Sequence, residues 1–135
     1  MTYPVITAIA AGIIINLQMI LMKICGKSRY KHKQGLGDNG QPELLARIRS
    51  HGNLAENSAI VLLVLGLLEM AGVNQMIIIA AASIFVIGRF LHPLGLFKTS
   101  GASAPRAIGV ATTGIVGMAG GLFLIYIALE RLGAF

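Results

Sequence analysis

Four apolar runs divide this chain, and they leave it little to fold into besides a bundle of membrane helices. Pro4 to Met22, Met70 to Gly88 and Ala107 to Leu129 carry 19, 19 and 23 residues without a charge. About 20 residues suffice for a helix to cross a hydrocarbon core. The remaining run, Asn57 to Leu68, has only 12, so its helix must reach back to Arg49 to span. It thereby draws the polar segment Arg47-Ile-Arg-Ser-His-Gly-Asn-Leu-Ala-Glu56 to the membrane edge or below it. Ionisable groups at that depth are costly and face a bundle interior or a wet cavity. The expected fold is all-α: one integral membrane domain over residues 1–135, a four-helix bundle with helices near 3–24, 43–71, 74–97 and 104–131.

Composition agrees. With 56% hydrophobic residues, 12% charged and a mean hydropathy of +0.79, the chain is too apolar for an ordinary soluble domain. Its net charge of +6 does not point to nucleic acid, because the basic residues flank the spans instead of covering a soluble face. Lys23, Lys27, Arg29, Lys31, Lys33, Arg47 and Arg49 precede or open the second helix, and Lys98 and Arg106 lie between the third and fourth. The short connection Ala71 to Gln75 has no Lys or Arg. The positive-inside rule then places both long loops in the cytoplasm and both termini outside. The first run lacks a basic n-region and a small-residue cleavage pattern, which reads as a retained span. Cys25 stands alone, so it forms no internal disulfide and reads as an unreactive thiol.

Small residues recur on two helices. Ala8, Gly12 and Asn16 form a four-residue ridge on the first, and Gly109, Thr113, Gly117 and Gly121 form another on the fourth; such ridges let helices approach closely in lipid. Asn16 and Gln18 are expected to hydrogen-bond between helices, the alternative being contact with a ligand. Pro42-Glu43 fits the first turn of the second helix, Pro93 and Gly95 mark the weakening or end of the third, and Ser103 is the expected N-cap of the fourth.

On the second helix Arg49, Asn53 and Glu56 share one face, while Arg47, His51 and Ser58 lie nearly opposite. Arg89 and His92 follow on the third helix, and Arg106 opens the fourth at the same side of the membrane. Arginines and a histidine thus converge at one depth against few carboxylates. Glu56 is expected to pair with Arg89, and the surplus positive charge calls for another anion, a lipid headgroup or a small acidic ligand. Taken alone, His51 and His92 read as hydrogen-bonded structural histidines. No metal is expected, since no Cys or second His stands at ligand spacing to either. The Gly35-x-Gly37 pair lacks the strand and pattern of a dinucleotide loop and is turn chemistry. Proton-coupled efflux is disfavoured because the first helix embeds no Asp or Glu.

The segment Arg47 to Glu56, Glu69 at the end of the same helix, Gly88-Arg-Phe-Leu-His92, Arg106, and a basic first loop containing Leu36-Gly-Asp38 together resemble the MAPEG family, membrane-associated proteins in eicosanoid and glutathione metabolism. The similarity covers nearly the whole chain and looks closest to a bacterial branch. It implies a homotrimer in a bacterial inner membrane, with both termini periplasmic and glutathione bound between neighbours at the cytoplasmic side. Arg49, Asn53 and Glu56 would hold the tripeptide, Arg89 and His92 would belong to the same site, and Arg106 would be the catalytic stabiliser of the thiolate. The implied activity is that of a glutathione transferase or peroxidase acting on apolar electrophiles or lipid peroxides. The alternative is a non-catalytic lipid-binding or scaffold protein of the same fold. Three departures bear on this choice. Many enzymatic relatives carry a tyrosine four residues after the helix-3 histidine, where this chain has Leu96; Ala107, Ile108, Gly109 and Val110 follow Arg106 without the serine or tyrosine of the prostaglandin-forming member; and Asn57-Ser58 follow the motif where an aromatic residue and a nearby proline are expected.

Overall fold

A computed structural model describes residues 3–99 and 101–133. Its helices are α1 (Val5–Lys31), α2 (Pro42–Met70), α3 (Gln75–Lys98) and α4 (Ala104–Arg131), and the described residues contain no strand. All four are long and apolar enough to cross a membrane, and the chain is a multi-pass, all-α membrane protein.

The helix ends follow local chemistry. Pro42 stands in the first turn of α2 with Glu43 beside it, where a missing N–H costs nothing and a carboxylate meets the positive end of the helix. Asn74 caps α3 by accepting from the Met76 N–H at 2.8 Å. Ser103 occupies the N-cap position of α4 but makes no side-chain cap bond; its hydroxyl is buried against Gly95.

One boundary differs from expectation. α1 continues seven residues past 24 to Lys31, because the end of the apolar run marks the end of the span, not of the helix. Lys and Arg are good helix formers, and Arg29 and Lys31 in the last turn complement the negative helix end. The loop then turns at Lys33, Gly37, Asn39 and Gly40, all at positive φ. Arg29 holds it by donating to the carbonyls of Gly35 and Gly37, both at 3.1 Å, and Lys31 pairs with Glu43 at 2.6 Å across it. α3 ends at Lys98, within a residue of its expected end, and continues through Pro93 without a break. Pro93 and Gly95 are buried in the packed bundle, and tertiary packing outweighs the proline's local cost.

α2 and α3 form the central contact. α1 packs on both from one side and α4 packs on both from the other, and among the described residues α1 and α4 do not touch. The core joins Ile14, Leu17 and Leu21 of α1, Leu54 and Leu65 of α2, Phe85 of α3 and Val116 of α4. The closest approach is between α3 and α4. A Cβ on Gly95 would stand 2.7 Å from the Arg106 backbone nitrogen, and one on Gly109 would stand 2.7 Å from the Gly88 carbonyl oxygen. Of the α4 ridge, Gly109 and Gly117 meet neighbours while Gly121 has open space. The α1 ridge is turned outward: Gly12 and Asn16 are exposed, since α1 buries the face of Ala10, Ile14, Leu17 and Leu21.

Glu69 fastens the end of the bundle away from the basic loops. Its carboxylate accepts from the Ile6 N–H (2.9 Å), the Thr7 N–H (2.8 Å) and the Thr7 hydroxyl (2.7 Å). Two of the orphan donors at the start of α1 are thereby satisfied by α2. Glu69→Ala is expected to destabilise the bundle by about 1–3 kcal/mol, read as a lowered Tm in detergent, with Glu69→Gln restoring part of the loss. Ligand binding at the opposite end should not change.

Candidate functional site

The segment Arg47 to Glu56 lies wholly inside α2, so its side chains project at helical angles and part company. Asn53 turns toward α3 and accepts from Arg89 Nη1 at 3.0 Å. The other terminal nitrogen, Arg89 Nη2, donates to the Gly109 carbonyl of α4 at 2.7 Å. Arg89 therefore ties three helices together while only 2% exposed. Its Nε is buried with no acceptor, and no carboxylate pairs with it among the described residues.

The expected Glu56–Arg89 pair is not present. Glu56 lies 3.8 Å from Arg49 on its own helix, and the two side chains are 57% and 55% exposed. Seven residues bring Arg49 and Glu56 to nearly the same azimuth, about 20° apart, whereas Asn53 is rotated about 60° from Glu56 toward α3. Such an exposed pair stabilises the fold little, about 0–1 kcal/mol, and leaves both groups accessible. The buried cation is thus held by an amide and a backbone carbonyl.

His92, one turn beyond Arg89, is buried against the backbone of Gly109. It lies within electrostatic range of the guanidinium groups of Arg89, Arg106 and Arg49. Arg106 stands in the first turn of α4, half-buried, and with Ser103, Ala107 and Val110 it lines a groove of about 580 Å³ at the basic end of the bundle. Val110 also borders a second groove of about 420 Å³ between α2 and α4. Asn53, Asn57, Arg89 and Thr113 form the polar part of that groove, and Ile60, Val61 and Met118 the apolar part. A polar ligand and an apolar one could meet along this continuous surface.

The opposite face of α2 has other work. The Arg47 guanidinium stacks 3.8 Å over the Phe97 ring of α3, the His51 carbonyl accepts from Gln18 Nε2 at 3.4 Å, and Ser58 is buried with no partner for its hydroxyl. Gln18 thus makes an interhelical bond, while Asn16 bonds only its own helix, at the Gly12 carbonyl. Leu96 is buried and brings no hydroxyl to the position it occupies.

Sequence reasoning named Arg89, Asn53, His92 and Arg106 and put Gly109 on a packing ridge, but missed that its carbonyl holds Arg89; that carbonyl also accepts from Thr112 (3.2 Å) and Thr113 (2.8 Å). The spacing Gly88, His92, Gly95 on α3 was the available signal, since it places two glycines and a histidine on one stripe, the stripe that α4 covers. Asn57 and Thr113 were likewise not assigned to the groove they line.

The MAPEG family model matches residues 7–128. No curated protein matches the chain.

Proposed function

The chain belongs to the MAPEG family, and from that premise we propose that it is a membrane-embedded glutathione-dependent transferase or peroxidase acting on apolar electrophiles or lipid peroxides. We place it as a homotrimer in a bacterial inner membrane, with the basic loops cytoplasmic and both termini periplasmic. The observation that carries the reading is Arg89: a guanidinium buried without a carboxylate, held by Asn53, with Arg49 and Arg106 near by. Buried surplus charge of this kind calls for an anion.

The donor set suits glutathione, which carries two carboxylates and one ammonium group. Arg49, Arg89 and Asn53 offer donors to carboxylates, Glu56 offers an acceptor to the ammonium, and His92 packs beside Arg89 and fixes the wall behind them. Glutathione supplies a thiol whose sulfur is the nucleophile. Arg106, with the positive end of α4 behind it, favours the thiolate over the thiol. Ile60, Val61 and Met118 line an apolar approach from the bilayer to the polar end of the groove.

Arg106→Ala is expected to lower turnover at neutral pH by about a hundredfold, with a much smaller change in glutathione affinity. Removing the guanidinium raises the pKa of the bound thiol, so activity lost at neutral pH should return as the pH rises. Conjugation and peroxide-reduction assays across pH read this directly. Equal loss at every pH would contradict the role given to Arg106.

One observation favours the second reading, a non-catalytic lipid-binding or scaffold protein. Leu96 occupies, as a buried aliphatic residue, the place where many enzymatic relatives carry a tyrosine. That reading predicts stabilisation by anionic lipid and none by glutathione.

A further inference from the structure

We propose that the basic end of α1 is a docking surface for an anionic phospholipid, with the phosphate between Lys23 and Lys27 and the headgroup toward Tyr30. The inference goes beyond the glutathione reading and does not rest on it. From Lys23 to Gln34 the chain carries five Lys and Arg residues and no Asp or Glu. Lys31 is paired with Glu43, and Arg29 is engaged by the carbonyls of the loop. Lys23, Lys27 and Lys33 pair with no carboxylate among the described residues. Their charge is left for a group from outside the chain.

Two of these lysines stand on one exposed stripe. Successive residues of a helix turn by about 100°, so Lys23, Lys27 and Tyr30 fall within about 60° of one another. All three are exposed, Tyr30 to 89%. Met19 and Ile20 continue the stripe toward the middle of the membrane and are exposed as well. The surface is thus apolar below and basic above, in the order of a phospholipid's own parts. Beyond Lys27 it opens into a groove of about 590 Å³ lined by Arg29, Tyr30, Lys33 and Gln34. A polar headgroup fits there.

Depth selects a lipid over a soluble polyanion. The uncharged run Pro4 to Met22 has 19 residues, about 28 Å of helix against a hydrocarbon core of about 30 Å. Lys23 therefore stands where the hydrocarbon ends. Lys27 lies about 6 Å further out, within the headgroup layer, and Tyr30 just above it, where an amphipathic ring is at home. A soluble acidic partner can reach Lys31 and Lys33, whereas Lys23 is level with the ends of the acyl chains that Met19 and Ile20 face. No Lys or Arg precedes Lys23 in the sequence, so the opposite end of α1 has no such surface.

The chain has no tryptophan, which allows a single reporter. The full-length protein carrying Ile20→Trp is reconstituted in phosphatidylcholine vesicles containing dibrominated phosphatidylglycerol or, at equal mole fraction, dibrominated phosphatidylcholine. Quenching gives the relative affinity of the two lipids for this surface. Each lysine near an anionic surface contributes enough to favour the anionic lipid about fivefold, so a preference of about fivefold or more is expected. It should fall to near one in Lys23→Gln/Lys27→Gln, with the Tm in neutral detergent unchanged because both side chains are exposed and unpaired. Ile9→Trp, on the same face at the other end of α1, should report equal quenching by both lipids. Arg106→Ala should keep the preference at Ile20→Trp. Equal quenching at Ile20→Trp would overturn the proposal, as would a preference that survives the double variant or disappears in Arg106→Ala. Binding of polyglutamate without any lipid preference would assign the surface to a soluble acidic partner and overturn it too.

Discussion

Arg89→Ala is expected to abolish glutathione binding and to destabilise the bundle. The guanidinium holds Asn53 and the Gly109 carbonyl at once, so truncation leaves the Asn53 Oδ1 without its donor, leaves the Gly109 carbonyl to Thr112 and Thr113 alone, and opens a cavity among three helices. One unsatisfied group costs about 1–3 kcal/mol and the cavity left by a buried side chain adds to it, so a total of about 3 kcal/mol is expected for the variant. Arg89→Lys should recover little binding, because one ammonium cannot reproduce a fork spanning two helices. Separating the effects takes two measurements: the Tm without ligand, and the further rise in Tm on adding glutathione. The account predicts that Arg89→Lys keeps much of the first and loses the second.

Gly109→Ala should be nearly as damaging through geometry alone. A Cβ there would fall 2.6 Å from His92 Cβ and 2.7 Å from the Gly88 carbonyl oxygen, and the latter is backbone that cannot swing aside. α3 and α4 would have to separate, at a cost of about 3 kcal/mol, and the carbonyl that positions Arg89 would move with them. The same substitution at Gly121 meets nothing within 4 Å. There the better helix propensity of alanine, about 1 kcal/mol, should leave stability unchanged or raised. Comparing the two variants in one detergent isolates the contact, since the chemical change is identical.

The four spans were legible because an apolar run long enough to cross a bilayer admits few alternatives. Where helices stop was less so. α1 outlasts its apolar run, since charged residues that end a span do not end a helix, and α3 passes Pro93 because burial against α4 outweighs the lost bond. The small ridge on α1 was visible as a pattern, but a pattern of small residues does not say which way it turns, and Gly12 and Asn16 are exposed. The site divides in the same way. Helical spacing placed Asn53, Arg49 and Glu56 near one face, yet a rotation of about 60° separates the residue that meets Arg89 from the pair that stays outside. Charge counting sought a carboxylate for Arg89 and overlooked Gly109, because a backbone carbonyl leaves no side-chain signal. Glu69 could be seen at its helix end, while its role as a cap for α1 depends on tertiary structure.

The most direct test of the central claim is ultraviolet titration of glutathione into the purified protein at neutral pH, following thiolate absorbance. The account predicts a saturating thiolate signal that Arg106→Ala abolishes while binding persists, and that Arg89→Lys loses together with binding. No thiolate signal and no rise in Tm at millimolar glutathione would contradict it, and stabilisation by anionic lipid alone would then favour the scaffold reading.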